Sequence, residues 1–349
     1  MSARKRWANR PPDSNWGEFG EFDEIGRMNL ITDAARLAAV KTVQYGKAFC
    51  LSLPLDRPGG SVLNPRRRPP RLFATERNGR ENYNYALARD EPGATDVICD
   101  DLVLLYTQYS TQWDSLAHYG SSFDAQGTGV TRPTYYNGWT GETDIRGTPA
   151  TNHQGEPELK HGGVQAGRLG IDKLAQTGVQ GRGVLLNLED YWGRPERRID
   201  GAELKKIIRR QAADIRAGDL LCLYTGFSRH LMSQPSGANI PALHALCPAL
   251  DGQDASLRDW ITRSNISALI ADNYAVEMLG EPTGHTAGPR MPLHEHCLFK
   301  LGMNLGELWY LAELADWLKR HERHAFLLTA PPLRLPGAVG SPVTPVATV

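Results

Sequence analysis

Gly183-Val184-Leu185-Leu186-Asn187-Leu188 is the stretch whose reading decides the fold class. Its apolar residues fall on successive positions, so a strand built from it has no face for water. That is the pattern of a strand covered on both sides, as in proteins that layer helices over a sheet. Moving towards the C-terminus, Gly201–Arg216 carries Leu204, Ile207, Ile208 and Ile215 at helical spacing and predicts an amphipathic helix. Asp219-Leu220-Leu221-Cys222-Leu223-Tyr224 reads as a second buried strand. Leu257–Arg263 followed by Ala268–Asp272 repeats the helix–strand alternation, Glu307–Lys319 predicts a helix, and Ala325–Leu328 a strand. Towards the N-terminus lie a helix from Ile171, a strand at Phe49–Leu55, and a helix over Asp33–Val40 capped by Thr32 or Asp33. Strands alternating with helices predict the α/β class.

The chain has 349 residues, 41% hydrophobic and 22% charged, enough for a substantial core. Residues 1–25, rich in Pro, Asn, Trp and Gly, read as an arm, and 26–349 as one domain. That domain includes a long polar excursion at about 58–95, and residues 135–163 also read as loop. Lys plus Arg balance Asp plus Glu at 39 each, which leaves no electrostatic footprint for nucleic acid or a membrane surface. The Arg66-Arg67-Arg68 cluster reads as a solvated loop or an arm touching another subunit. Five cysteines without CxxC spacing read as reduced, mostly buried thiols of a cytoplasmic protein. No signal peptide and no membrane-spanning run is expected. The Gly178–Gly183 run lacks the order of a dinucleotide or phosphate loop.

Chemistry concentrates in Asp100-Asp101-Leu102-Val103-Leu104-Leu105-Tyr106-Thr107-Gln108-Tyr109-Ser110-Thr111-Gln112-Trp113-Asp114-Ser115-Leu116-Ala117-His118. If the run stays extended from Leu102, Gln108, Gln112, Asp114 and His118 share one face. A helix would align the two glutamines but swing Asp114 away. Two amides, a carboxylate and an imidazole on one spot suit a water-activating site. Asp114 alone also fits a structural carboxylate, and a single His is more often structural. Trp113, Tyr135, Tyr136 and Trp139 read either as an aromatic pocket or as core, with Trp113 on the core side. Arg77, Arg80 and Asn82 read as lid contacts or as solvated loop.

Several segments resemble one known family over nearly the whole chain. They are Asp23–Thr32, Gly181–Leu186, Gly218–Phe227, Ala271–Glu277, Leu293-His294-Glu295-His296 with Gly306-Glu307-Leu308-Trp309, and Pro331–Pro342. Together they are similar to the cyclase-like metal-dependent hydrolases, which include kynurenine formamidase and isatin hydrolase. The family's central motif is H-x-x-x-H-x-D-x-x-x-H, in which two His and the Asp bind metal and the last His transfers protons. Here the same spacing reads Gln108, Gln112, Asp114 and His118.

The resemblance implies a swivelling β/β/α fold, a mixed sheet forming a barrel-like core flanked by helices. It further implies homo-oligomers, dimer or tetramer, acting on a small-molecule substrate. By the same resemblance His294 and Glu307 complete the site, so the metal set becomes Gln108, Gln112, Asp114, His294 and Glu307. Spacing does not choose between His294 and His296, and His294 is preferred. Catalytic roles fall to His118, Asp114 and Glu307, with His118 as general acid/base. Amide oxygens are neutral, hard donors, which shifts the expected metal towards Mn²⁺ or Mg²⁺, or to a weaker Zn²⁺ site. The alternative is no metal, with the glutamines bonding substrate. The remaining histidines, His153, His161, His230, His244, His285, His321 and His324, are given no role.

The function expected is hydrolysis of a small amide, lactam or lactone. Two alternatives stand beside it: a metal-independent lyase or isomerase using His118, and an inactive small-molecule-binding protein.

Overall fold

In the computed structural model, which describes residues 6–147, 164–193, 198–239, 243, 246–279 and 288–349, the core is one mixed nine-stranded sheet. Its strands are β1 (Ala48–Cys50), β2 (Gln112–Asp114), β3 (Gln180–Asn187), β4 (Leu220–Tyr224), β5 (Ala268–Ala271), β6 (Asn304–Glu307), β7 (Ala325–Thr329), β8 (Gly340–Pro342) and β9 (Val346–Thr348). They lie in the order β1-β9-β7-β3-β4-β5-β6-β2-β8. The run β3-β4-β5-β6 is parallel, and every other pairing is antiparallel. The C-terminal segment supplies β8 at one end of this order and β9 near the other. Val343 N bonds Thr111 O and Leu51 N bonds Pro345 O across the gap, curling the sheet towards a barrel.

The central strands are apolar on both faces because both faces are covered. Leu185, Leu220, Cys222, Tyr224 and Ile270 point into one layer, with Ile171, Leu174, Leu314 and Leu318 from the helices α1 (Ile171–Gln176) and α5 (Ala312–Arg320). Leu186, Leu221, Leu223 and Leu269 point into the other, against Leu204, Ile207, Leu257 and Ile261 from α2 (Gly201–Arg210) and α4 (Ala255–Ser264). One-residue alternation between the layers is the period-two signature of extended chain. The helix starts follow capping chemistry: Asp200 Oδ1 accepts from Glu203 N at 2.8 Å, and Asp254 Oδ2 from Leu257 N at 2.8 Å. The helix expected at Asp33–Val40 is present, and of its two candidate caps Thr32 makes the bond, from Ala35 N at 3.2 Å. The arm residue Trp16 is buried, its indole N–H bonded to Phe299 O at 2.8 Å.

Four expectations need correction. The helix expected over Gly201–Arg216 stops at Arg210, because Ala212 takes a left-handed φ of 50°. The strand expected over Phe49–Leu55 shrinks to β1, followed by a single bridge from Ser52 to Trp309. Glu307 does not open a helix: it ends β6, and α5 begins at Ala312. The run from Leu102 to His118 is not one strand. Asp101–Leu104 pairs with Arg71–Ala74 in a separate ribbon, and a turn at Tyr106–Tyr109 precedes β2. The polar excursion also contains short ribbons at Glu76–Arg77 with Arg80–Glu81 and at Tyr85–Ala86 with Val97–Ile98.

Asp272, just past β5, ties the sheet to α3 (Phe227–Ser233). Its carboxylate accepts from Thr225 N and Oγ1 at 2.7 and 2.6 Å, and from Ser228 N and Oγ at 3.1 and 3.0 Å. Burial raises its pKa to about 6, against these hydrogen bonds. We predict that Asp272→Ala loses about 2–4 kcal/mol at pH 5, since four buried donors lose their acceptor. The folded state keeps the Asp272 proton where the unfolded chain has lost it, so its contribution falls as pH rises from about 4 to about 6. Urea midpoints of both proteins across that window check the prediction; a difference that widens with pH contradicts it.

Candidate active site

Gln112 and Asp114 are alternate residues of β2 and therefore share a face, while Trp113 turns the other way. The Trp113 ring packs edge-on to Trp309 at 5.1 Å, and its N–H bonds Ala330 O at 2.8 Å, so this residue is core. Antiparallel pairing sets Gln112 directly opposite Glu307 on β6. Gln112 Nε2 lies 3.2 Å from Glu307 Oε2 and 3.4 Å from Asp114 Oδ1. Gln108 reaches the same spot from the preceding turn and donates to Asp114 Oδ1. Gly340 on β8 makes room for it, since a Cβ there would sit 2.4 Å from Gln108 Cγ. His118 arrives from a turn after β2, closed by His118 N to Ser115 O, with Nε2 at 3.9 Å from Asp114 Oδ1. The expected grouping of Gln108, Gln112, Asp114 and His118 is thus present, produced by two turns around a short strand and not by one extended run.

His294 stands between two carboxylates. Its Nδ1 lies 2.9 Å from Glu277 Oε1 and its Nε2 3.2 Å from Glu307 Oε1. Glu277 also accepts the backbone N–H groups of Leu293 and His294, each at 3.0 Å. Gly252 lets this carboxylate in, because a Cβ there would fall 2.1 Å from Glu277 Oε2. The backbone delivering Glu277 is strained: Ala275 and Val276 take left-handed φ values of 73° and 58°. For a β-branched residue that conformation is costly and persists because its surroundings enforce it. His296 faces elsewhere, its Nε2 3.0 Å from Arg258 O and 2.9 Å from Thr262 Oγ1.

The electrostatics follow from burial. Desolvation raises the Asp114 carboxyl, with His118 opposing and Glu307 adding to the rise. Burial raises Glu307 too, but the hydrogen bond and charge of His294, together with the charges of Arg67 and His118, bring its pKa below the usual value. For His294 burial works against the charge, yet the Glu277 and Glu307 hydrogen bonds raise it to about 10. Burial lowers His118, which favours the neutral imidazole a base requires. Its side chain is still 23% exposed, against none for Asp114, so the cluster meets solvent at His118.

Ligand-capable atoms of Asp114, His294 and Glu307 lie within 4.8 Å of one another. Two more buried oxygens, Asp114 Oδ2 and Gln112 Oε1, have no hydrogen-bond donor among the described residues. Oxygens left without donors beside a second carboxylate fit a hard divalent cation.

Other sequence candidates lie elsewhere. Tyr136 and Trp139 pack in the same core cluster as Trp16 of the arm, with the Arg6 guanidinium 3.3 Å over the Trp139 ring. Arg77 bonds Asp90 at 2.8 Å, and Asn82 bonds Thr75, within the excursion itself. His230 stacks on Trp192 and His321 on Trp317, and His324 bonds Leu185 O. His153, His161, His244 and His285, like most of the loop read at 135–163, fall outside the described residues. Among the five free cysteines, Cys222, Cys247 and Cys297 are buried, and Cys50 and Cys99 are exposed. Sequence reasoning missed Glu277 as a partner of His294, and Arg67, which donates to Gln108 O at 2.6 Å. The Arg66–Arg68 cluster reads in sequence as a solvated loop or an arm touching another subunit. Arg66 and Arg68 are exposed, but Arg67 is half-buried.

Residues 50–278 match the family model for Cyclase. The chain belongs to the Cyclase family. Its structure is similar to that of a novel cyclase, at 28% identity and a TM-score of 0.74, covering 96% of this chain and 99% of that one. Isatin hydrolase A from Labrenzia aggregata, bound to benzyl benzoate, shares the fold at 14% identity and TM-score 0.56, over 91% and 99% of the two chains. Isatin hydrolase A from Ralstonia solanacearum does so at 14% and 0.55, over 90% and 97%. No curated protein matches. Among the described residues, no helix of this Cyclase-family chain is long and apolar enough to cross a membrane.

Removing Glu277 leaves the buried imidazole of His294 with one carboxylate and strands two backbone N–H groups. Glu277→Ala is therefore expected to lower stability by about 3–5 kcal/mol, the cost of breaking a buried pair. Chemical unfolding measures it, and a loss below about 1 kcal/mol would show that the contact carries no such weight.

Proposed function

We propose that this Cyclase-family chain hydrolyses a small amide, lactam or lactone, with His118 as general acid/base. The observation that carries the reading is a partly exposed imidazole, biased to its neutral form, beside a buried carboxylate cluster with donor-free oxygens. His118 takes a proton from water as the water oxygen bonds the substrate carbonyl carbon. It then returns that proton to the departing nitrogen or oxygen as the C–N or C–O bond breaks, leaving a carboxylic acid and an amine or alcohol. Asp114, close to His118 Nε2, stabilises the imidazolium formed in between. Gln108 and Gln112 hold the Asp114 carboxylate by one oxygen and leave the other free. The isatin hydrolase neighbours support an enzyme of this kind through the shared fold.

A divalent cation belongs to this reading. Asp114, Glu307, His294 and the amide oxygens of Gln112 and Gln108 are the groups that would hold it, an oxygen-rich set favouring Mn²⁺ or Mg²⁺ over Zn²⁺. When bound, it supplies a Lewis acid for the carbonyl and acidifies water. Residues 26–349 act as the catalytic unit and 1–25 as its arm, in a cytoplasmic protein that assembles, as the family resemblance implies, into a homo-oligomer, dimer or tetramer.

A panel of lactones, formamides and cyclic imides, assayed with and without added Mn²⁺ and Zn²⁺, tests the reaction class. His118→Ala is expected to lower kcat on any active substrate by about 10²–10⁴-fold with a smaller change in KM. Unchanged turnover would place the base elsewhere, and no hydrolysis across the panel would remove the reading. Elemental analysis of the purified protein is expected to find a bound first-row dication or magnesium, and loss of the metal on Asp114→Ala.

A further inference from the structure

Leu102-Val103-Leu104-Leu105 is an unbroken apolar run like those of β3, β4 and β5. A strand of that composition calls for cover on both faces. Asp101–Leu104 and Arg71–Ala74 instead make a two-stranded ribbon of their own. Its register sets Leu72 opposite Val103 and Phe73 opposite Leu102, so one pair occupies each face. All four side chains meet solvent: Leu72 is 71% exposed, Phe73 45%, Leu102 49% and Val103 47%. The strand runs back through Asp100, bonded to Asn82 O, to Val97 opposite Ala86. Val97 and neighbouring Tyr83 are exposed as well.

Water is a poor neighbour for such a ribbon. Two strands alone are marginal without a packed face, and each open edge is a row of backbone groups ready to pair. Contiguous apolar patches beyond a few hundred Å² mark contact surfaces on soluble chains. The charges say which partner fits. Exposed Arg68 and Arg71 stand at the end of the ribbon that holds Leu104, and exposed Asp100 and Asp101 at the end that holds Ala74. Turning a second copy by half a turn about an axis across the strands reverses its ends. The basic end of each chain then faces the acidic end of the other, and the apolar middles meet. A surface that complements itself under a two-fold rotation has the property an isologous interface requires.

We propose that the ribbon of residues 71–74 and 101–104 is the docking surface for a second copy of this chain, related by a two-fold axis across its strands. The proposal rests on the homo-oligomer stated above and adds its surface, symmetry and charge pairing; it does not need the hydrolase reading. The contact forms beside the site. The two strands leave the body near Arg67 and Gln108, and Arg67 Nη1 donates to Gln108 O at 2.6 Å between them. Gln108 in turn donates to Asp114.

The test measures the mass of the full chain by sedimentation velocity over a range of concentrations. Wild type is expected to be a dimer or tetramer at micromolar concentration. Leu72→Glu with Val103→Glu, and Phe73→Glu with Leu102→Glu, each charge one face of the ribbon. These side chains are exposed in the single chain, so the changes spare the fold, as circular dichroism and the urea midpoint check. At least one pair is expected to halve the assembly or to raise its Kd by about 100-fold. Arg71→Asp and Asp101→Arg should each weaken association, and the double variant should restore it. Restoration reports contact between chains, because about 10 Å of strand separates the two ends of one ribbon. If a Glu pair unfolds the chain, this charge cycle decides. An assembly unmoved by both Glu pairs and both charge variants would overturn the proposal and leave the homo-oligomer standing, whereas a monomeric wild type would overturn both. Dissociation by a Glu pair without restoration by the double charge variant would overturn the two-fold pairing. A monomer that floats with phosphatidylcholine–phosphatidylglycerol vesicles would give the ribbon to a membrane instead.

Discussion

Three carboxylates crowded around one imidazole set the terms for this site. Asp114, Glu307 and Glu277 are all buried, and His294 touches two of them at 2.9 and 3.2 Å. Formally, three negative charges face one positive charge in a region of low dielectric, where like charges repel strongly. The excess has two outlets, protons or a cation. The structure divides the acids between those outlets: Glu307, held by His294, stays acidic, while Asp114 is driven up by burial. Asp114 and Glu307 sit on neighbouring antiparallel strands, so neither can retreat by moving a loop. The sheet thereby fixes Asp114 and Glu307 beside His294, a grouping that could hold a metal ion. Glu277 is held differently, by strained backbone at Ala275 and Val276 that would relax if its contacts with Leu293 and His294 were lost.

Much of the framework was legible because β3, β4 and β5 and the helices between them obey local rules. Leu220 to Tyr224 and Ala268 to Ala271 are apolar throughout because each faces a packed layer on both sides. Their composition says so without knowledge of neighbours. Asp200 and Asp254 mark helix starts for an equally local reason. The site was half legible. Gln112 and Asp114 share a face by strand period alone. Glu307 was assigned to a helix because Glu307–Lys319 has helical spacing, and only the pairing with Gln112 makes it a strand residue. Long-range register of this kind leaves no trace in a local window. Glu277 and Arg67 were hidden for the same reason, since their partners lie 17 and 41 residues away in sequence.

The glutamines at 108 and 112, where the resembled motif carries histidines, change what the cluster can do. An imidazole offers a lone pair to a metal and titrates near neutrality, whereas an amide does neither strongly. What an amide can do is donate and accept at once. Gln108 and Gln112 both aim N–H groups at Asp114 Oδ1, and Gln112 also reaches Glu307. Each carboxylate is thereby oriented without gaining a charge partner. Two titrating nitrogens are absent from the cluster, which leaves His118 as its partly exposed imidazole beside the buried His294. Glutamine at these two positions therefore removes two titratable groups and biases the donor set towards oxygen. A cation held by such a set is bound by charge more than by covalency.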